Sequence, residues 1–204
     1  MSLPRVVAFD FDDTISSIHS TRMPKEQFMS LDLTECVADP LLFRNLVFLL
    51  LRSGVQVAIT SYGYKDLILH TMRRIFGGTA LAGSTEHCPF NERNVITPQD
   101  ASSELSIRWP EGYEPPKGYS KSTLIACLQK HLLIDTDRWY PESSILLIDD
   151  SITNYYDALQ HSYCAKLCRH LCRKHGLECL CYESYSDISL ETFQRVFQQF
   201  IACS

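Results

Sequence analysis

Arg5-Val6-Val7-Ala8-Phe9-Asp10-Phe11-Asp12-Asp13-Thr14 is an apolar, β-branched run that stops in a cluster of carboxylates. Residues 5–9 predict a buried strand. Two more runs of this kind follow: 55–59, which ends at Thr60 and Ser61, and 144–148, which ends at Asp149 and Asp150. Helical spacing lies between them. Residues 40–52 space Leu41, Leu42, Leu46, Leu49 and Leu50 on one face, with Pro40 near the start and Gly54 past the end. Residues 65–76 repeat the pattern before Gly77 and Gly78, and 120–133 begin at an N-capping serine, Ser120 or Ser122. Ile152 opens a further helix that runs or re-forms as far as His175; 177–182 read as a strand and 190–201 as a closing helix. Apolar strands alternating with amphipathic helices build βαβ units. The expected fold is therefore α/β: a Rossmann-like three-layer sandwich around a mainly parallel sheet, one domain over 1–204. Residues 84–120 form a polar insertion within it, holding five of the nine prolines.

The composition narrows the function classes. The chain has 204 residues, 45% of them hydrophobic, and a net charge of −5. That charge argues against a broadly basic nucleic-acid surface. The longest apolar run, 46–51, is too short to span a bilayer, and Asp10, Asp12 and Asp13 interrupt the first stretch that could serve as a signal. The expectation is a soluble, cytoplasmic protein with no membrane partner, meeting nucleic acid only as a phosphorylated substrate. Five of nine cysteines crowd together at Cys164, Cys168, Cys172, Cys179 and Cys181, near His161, His170 and His175. Zinc is one reading. The other is a set of small apolar residues on a helix, because the first three recur every fourth residue and no C-x2-C knuckle is present.

The chemistry gathers where the strands end. In an open parallel sheet, ligands bind outside the carboxyl ends of the strands, so these polar endings can share a crevice. Carboxylates brought together there need a cation, and hard oxygen donors point to Mg²⁺. A carboxylate-held metal, a lysine and hydroxyls suit a phosphoryl group. One aspartate can attack phosphorus, and a second can protonate the leaving oxygen and then activate water. Asp10 and Asp12 are two residues apart, so at a strand end they point to the same side.

These residues also resemble a known family. Asp10-Phe11-Asp12-Asp13-Thr14 resembles the DxDxT first motif of the haloacid dehalogenase (HAD) superfamily of phosphatases. Residues 55–60 are similar to its second motif, Lys121 to its third-motif lysine, and 145–150 to its paired-aspartate fourth motif. The four occur in family order over some three-quarters of the chain. The resemblance implies a HAD-type fold and a Mg²⁺-dependent phosphomonoesterase that works through an aspartyl-phosphate. Asp10 would be nucleophile and metal ligand, and Asp12 the acid/base, its backbone carbonyl on the metal. Thr60, with Ser61 beside it, and Lys121 would bind the phosphoryl oxygens, while Asp149 and Asp150 would complete the metal site. Lys117 competes with Lys121, Asn154 is a candidate supporting group, and Asp13 stands where the family commonly has glycine.

The short intervals around the motifs resemble the capless or minimally capped branch, similar in outline to magnesium-dependent phosphatase-1. The substrate, small molecule or macromolecule, stays open. Trp109, Tyr113 and Tyr119 either line the entrance or pack the insertion, and His19, Arg22 and Lys25 fall on a flap near the phosphate. Two other functions stay open as well: a phosphotransferase of the same fold, and an inactive binding or scaffold protein.

Overall fold

A computed structural model describes residues 3–77, 88–103, 120–181 and 185–202. In chain order its elements are β1 (Val6–Phe9), α1 (Lys25–Ser30), α2 (Leu33–Cys36), α3 (Pro40–Arg52), β2 (Gln56–Thr60), α4 (Lys65–Gly77), β3 (Val95–Ile96) and α5 (Pro98–Ser103). There follow α6 (Lys121–Thr136), β4 (Ile145–Asp149), α7 (Ile152–Gln160), β5 (Cys164–Leu167) and α8 (Leu190–Ala202). The five strands form one sheet in the order β3-β2-β1-β4-β5, with every pairing parallel.

Alternation along the strands sorts the helices into two layers. Val7 and Phe9 of β1 face a core that also holds Leu46 and Leu49 of α3, Leu67 and Met72 of α4, and Phe193, Phe197 and Phe200 of α8. Val6 and Ala8 face the other way, into a core with Leu124, Ile125 and Leu128 of α6 and Ala158 of α7. The period of two along an extended chain thus produces the three-layer α/β sandwich expected from the sequence. Local signals hold the helices in place. Asp39 caps α3 by accepting from the Leu42 N–H at 3.1 Å, Pro40 supplies its first residue, and Gly54 follows its end at φ 76°.

From β1 the chain moves outward to β2 and β3, then crosses back to β4 and out to β5. The direction switches between β1 and β4, and a crevice opens outside the ends of two such strands. Asp10 and Asp149 sit at those ends.

Three expectations are corrected. The helix opened by Ile152 stops at Gln160, and 164–167 pair with β4 as an edge strand instead of continuing it. The segment 177–182 forms no strand among its described residues; Glu178–Cys181 is a 3-10 turn that tucks Leu180 into the first core. Part of the polar stretch 84–120 belongs to the sheet, since β3 adds to the edge of β2. Among the described residues, no helix is long and apolar enough to cross a membrane.

Candidate active site

The loop that leaves β1 carries the first carboxylates. The Asp10 N–H donates to the Ile148 carbonyl at 2.8 Å, which ties the strand end to β4. Phe9 and Phe11 point into the core, Phe9 edge-on to Phe43 with centroids 5.3 Å apart. Asp10 and Asp12 take the alternate positions and are almost fully buried. The chain then turns sharply, with Asp13 at φ 55°. That left-handed conformation favours glycine, and a short polar side chain tolerates it.

Lys121 opens α6, one residue after the N-cap Ser120, and is fully buried. Its ammonium donates to Asp10 Oδ1 and, at 2.5 Å, to the Thr60 carbonyl, and it lies 3.3 Å from Asp149 Oδ2. Lys117, its rival in sequence, lies outside the described residues, as do Trp109, Tyr113 and Tyr119. Asp149 closes β4; it accepts from the Ser151 N–H at 2.9 Å and from Asn154 Nδ2 at 3.0 Å. Asn154, left open between a supporting group and a surface residue, thus hydrogen-bonds Asp149. Asp10, Asp149 and Asp150 each offer an oxygen within 4.8 Å of the others, the one such convergence of His, Cys, Asp or Glu among the described residues.

The electrostatics are those of a site short of positive charge. Burial pushes the Asp10 carboxyl up to about 7; Lys121 opposes the rise, and Asp149 and Asp12 reinforce it. Burial, with Asp149 and Asp13 beside it, also raises Asp150. Burial alone would lower Lys121, but Asp10 and Asp149 hold it up at about 12, so the ammonium stays charged. One ammonium against three carboxylates leaves an excess that a divalent cation with oxygen preference can balance. The donor set therefore fits Mg²⁺.

The Asp12 carboxylate is not one of that trio. Its Oδ1 accepts from the Ser20 N–H at 2.6 Å and its Oδ2 from the Ser20 hydroxyl at 2.9 Å, with His19 Nδ1 3.8 Å from Oδ2. Of the flap residues expected near the phosphate, His19 reaches the site. Lys25 pairs instead with Asp66 of α4, and Arg22 is exposed. Thr60 ends β2 and Ser61 follows it, both fully buried. The Thr60 hydroxyl has no hydrogen-bond partner, whereas Ser61 Oγ accepts from the Gly63 N–H at 3.0 Å. A buried hydroxyl left without a partner is costly unless a ligand satisfies it.

Solved structures that resemble the chain include the following two. Both are the HAD domain of the effector protein Lem4 from Legionella pneumophila. The inactive-mutant form is 13% identical, with 97% of this chain and 95% of that one covered and a TM-score of 0.43. The other is 14% identical, with 99% and 98% covered and a TM-score of 0.41. Likeness at this level bears on neither site nor activity. No family model and no curated protein sequence matches.

Several contributors carried no signal in the sequence. Ser20 reaches Asp12 from eight residues away through an irregular loop. Asp157 of α7 accepts from the Ser122 N–H at 2.8 Å and hydroxyl at 2.7 Å, and so braces the turn that presents Lys121. Tyr62 places its ring 5.1 Å from Lys121 Nζ. Among the described residues, the Cys and His side chains of the C-terminal stretch form no group close enough to hold a metal; Cys168 is buried in the core, where burial pushes its thiol up to about 12, while Cys164 is exposed.

Proposed function

We propose that the chain is a Mg²⁺-dependent phosphomonoesterase of the HAD type that forms an aspartyl-phosphate on Asp10. The observation that carries this reading is Asp10 at the topological switch point, paired with Lys121 and converging with Asp149 and Asp150. When bound by Asp10, Asp149, Asp150 and the Asp12 carbonyl, Mg²⁺ supplies charge neutralisation to the phosphoryl oxygens. The chain's own residues do the rest. Lys121 and the free hydroxyl of Thr60 bind phosphoryl oxygens. Asp10 attacks phosphorus and the bond to the leaving oxygen breaks, with Asp12 giving that oxygen its proton. Asp12 then takes a proton from water as the water attacks phosphorus, and the Asp10–phosphorus bond breaks to release phosphate. Ser20 is placed to aim the Asp12 carboxyl through both steps.

A panel of sugar phosphates, nucleotides, phosphopeptides and aryl phosphates, with and without Mg²⁺, tests the reading. Phosphate release that requires Mg²⁺ and disappears in a folded Asp10→Asn variant supports it. No release from any member by folded, Mg²⁺-loaded wild type refutes it. Product diverted to an added alcohol would assign a phosphotransferase instead.

A further inference from the structure

The chain that leaves β5 is tied to both acid-bearing loops. The Cys168 N–H donates to the Asp149 carbonyl at 2.8 Å, the His170 N–H to the Asp13 carbonyl at 2.7 Å, and the Leu171 N–H to the Thr14 carbonyl at 2.7 Å. Cys168 and Leu171 are buried in the first core and anchor the crossing on either side. Between them His170 is left-handed at φ 52°, bonded to Asp13 at φ 55°. Two non-glycine residues in that region, joined to each other, are held there by their surroundings. Their side chains meet as well. His170 Nε2 lies 3.6 Å from Asp13 Oδ1, too far for a hydrogen bond. Among the described residues, neither that buried nitrogen nor the Asp13 carboxylate has a hydrogen-bond partner. Asp13 is only 8% exposed, and a carboxylate so buried and so bare needs a cation or a held water.

We infer that Asp13 is an outer carboxylate of the cation site, accepting a hydrogen bond from water that the cation carries, and that His170 is the positioning residue that keeps it there. This rests on the Mg²⁺ site proposed above. Mg²⁺ gives up its waters reluctantly, and those waters need acceptors beyond the direct ligands. Asp10, Asp149 and Asp150 converge closely enough to be direct ligands, and Asp13 stands outside that group. Its charge nonetheless reaches the group: Asp150 is pushed up by burial, by Asp149 and then by Asp13. An acceptor in that outer position adds negative charge without entering the coordination shell. His170 closes the other side of Asp13, and its own place is fixed by the bonds that tie residues 168–171 to the ends of β1 and β4.

Two plainer roles for His170 are separable from this one. A histidine that only offsets the Asp13 charge would weaken cation binding, so its removal would strengthen it. A residue that matters through its backbone alone would lose its imidazole without effect. Mg²⁺ alone is titrated by calorimetry into the metal-free full chain, for wild type, Asp13→Asn, His170→Asn and the double variant. Asparagine accepts the left-handed backbone at both positions, and metal-free melting checks the fold. Asp13→Gly and His170→Gly repeat the titration if an asparagine variant does not melt cooperatively. Asp13→Asn is expected to bind Mg²⁺ about tenfold more weakly than wild type. His170→Asn weakens binding severalfold, and adds no loss in the Asp13→Asn background because it acts through Asp13. Unchanged affinity in Asp13→Asn, unchanged or tighter binding in His170→Asn, or a His170→Asn loss that persists in the double variant overturns the inference and leaves the Mg²⁺ site standing. Wild type that binds no Mg²⁺ overturns the site, and the inference with it.

Discussion

Ser20 grips the Asp12 carboxylate twice, through its N–H at 2.6 Å and its hydroxyl at 2.9 Å. Removing the hydroxyl leaves the backbone bond in place, so Ser20→Ala should fold normally and lose about 1 kcal/mol of positioning. The expected result is a several-fold lower kcat at nearly constant KM, with a larger loss for alkyl than for aryl phosphates. In the proposed mechanism, alkyl leaving oxygens depend more than aryl ones on a proton from Asp12. Equal losses for both would argue against Asp12 as the acid.

Gly63→Ala attacks the same contact from the other side. Its new Cβ must displace the Ser20 hydroxyl and the Asp12 carboxylate, both of them side-chain groups that can move. The fold should survive while kcat falls by roughly tenfold, an amount set by misplacing one acid. Thermal melting beside steady-state kinetics separates the two effects.

The raised Asp10 carboxyl makes stability depend on pH. Its folded-state pKa of about 7 lies above the ordinary 3.8, so between those values the folded chain holds more protons than the unfolded chain. Stability of the metal-free protein therefore falls as pH rises from about 4 to 7. Asp10→Asn cannot ionise there and escapes the loss. At pH 8 without metal, the variant should be more stable than wild type by on the order of 2–4 kcal/mol, a difference that vanishes near pH 4. Added Mg²⁺ should restore wild type more than the variant. Parallel melting curves across pH 4–8 would contradict this.

Asp13 pays for its left-handed backbone. Asp13→Gly should match wild type in stability or exceed it by a few tenths of a kcal/mol, because glycine takes φ 55° without a Cβ clash. Asp13→Val, β-branched, should cost about 1–2 kcal/mol. Urea unfolding of the pair measures the difference directly.

Asp157 holds the first turn of α6 by accepting two hydrogen bonds from Ser122. Asp157→Ala should cost roughly 1–3 kcal/mol in stability. Its kcat should fall, but less than that of Lys121→Ala, since the ammonium keeps its own bonds to Asp10 and the Thr60 carbonyl.

What was readable in the sequence, and what was not, follows from where each signal is stored. β1, β2 and β4 are central strands buried on both faces, so each appears as a continuous apolar run, and the polar residues that end them mark the crevice. The caps at Asp39 and Ser120 are equally local. β5 is different. An edge strand borrows its partners from β4 and leaves Cys164 and Leu167 exposed, so no apolar run announces it, and cysteines four apart imitate a helix. β3 spans two residues and is defined by pairing alone. The same holds in the site. Asp10, Lys121 and Asp149 carry chemistry in their residue types, whereas Ser20, Tyr62 and Asp157 matter through contacts the fold creates.

The central claim is a covalent phosphoryl group on Asp10. An Asp12→Asn variant, given Mg²⁺ and an aryl phosphate whose leaving group needs little protonation, is quenched in acid and digested with trypsin. The peptide from Val6 to Arg22 is then weighed. The account predicts one added phosphoryl group on that peptide, placed on Asp10 by fragmentation and absent when Asp10 is also replaced by Asn. Turnover by wild type with no phosphoryl group trapped on that peptide, or undiminished turnover by Asp10→Asn, would contradict it.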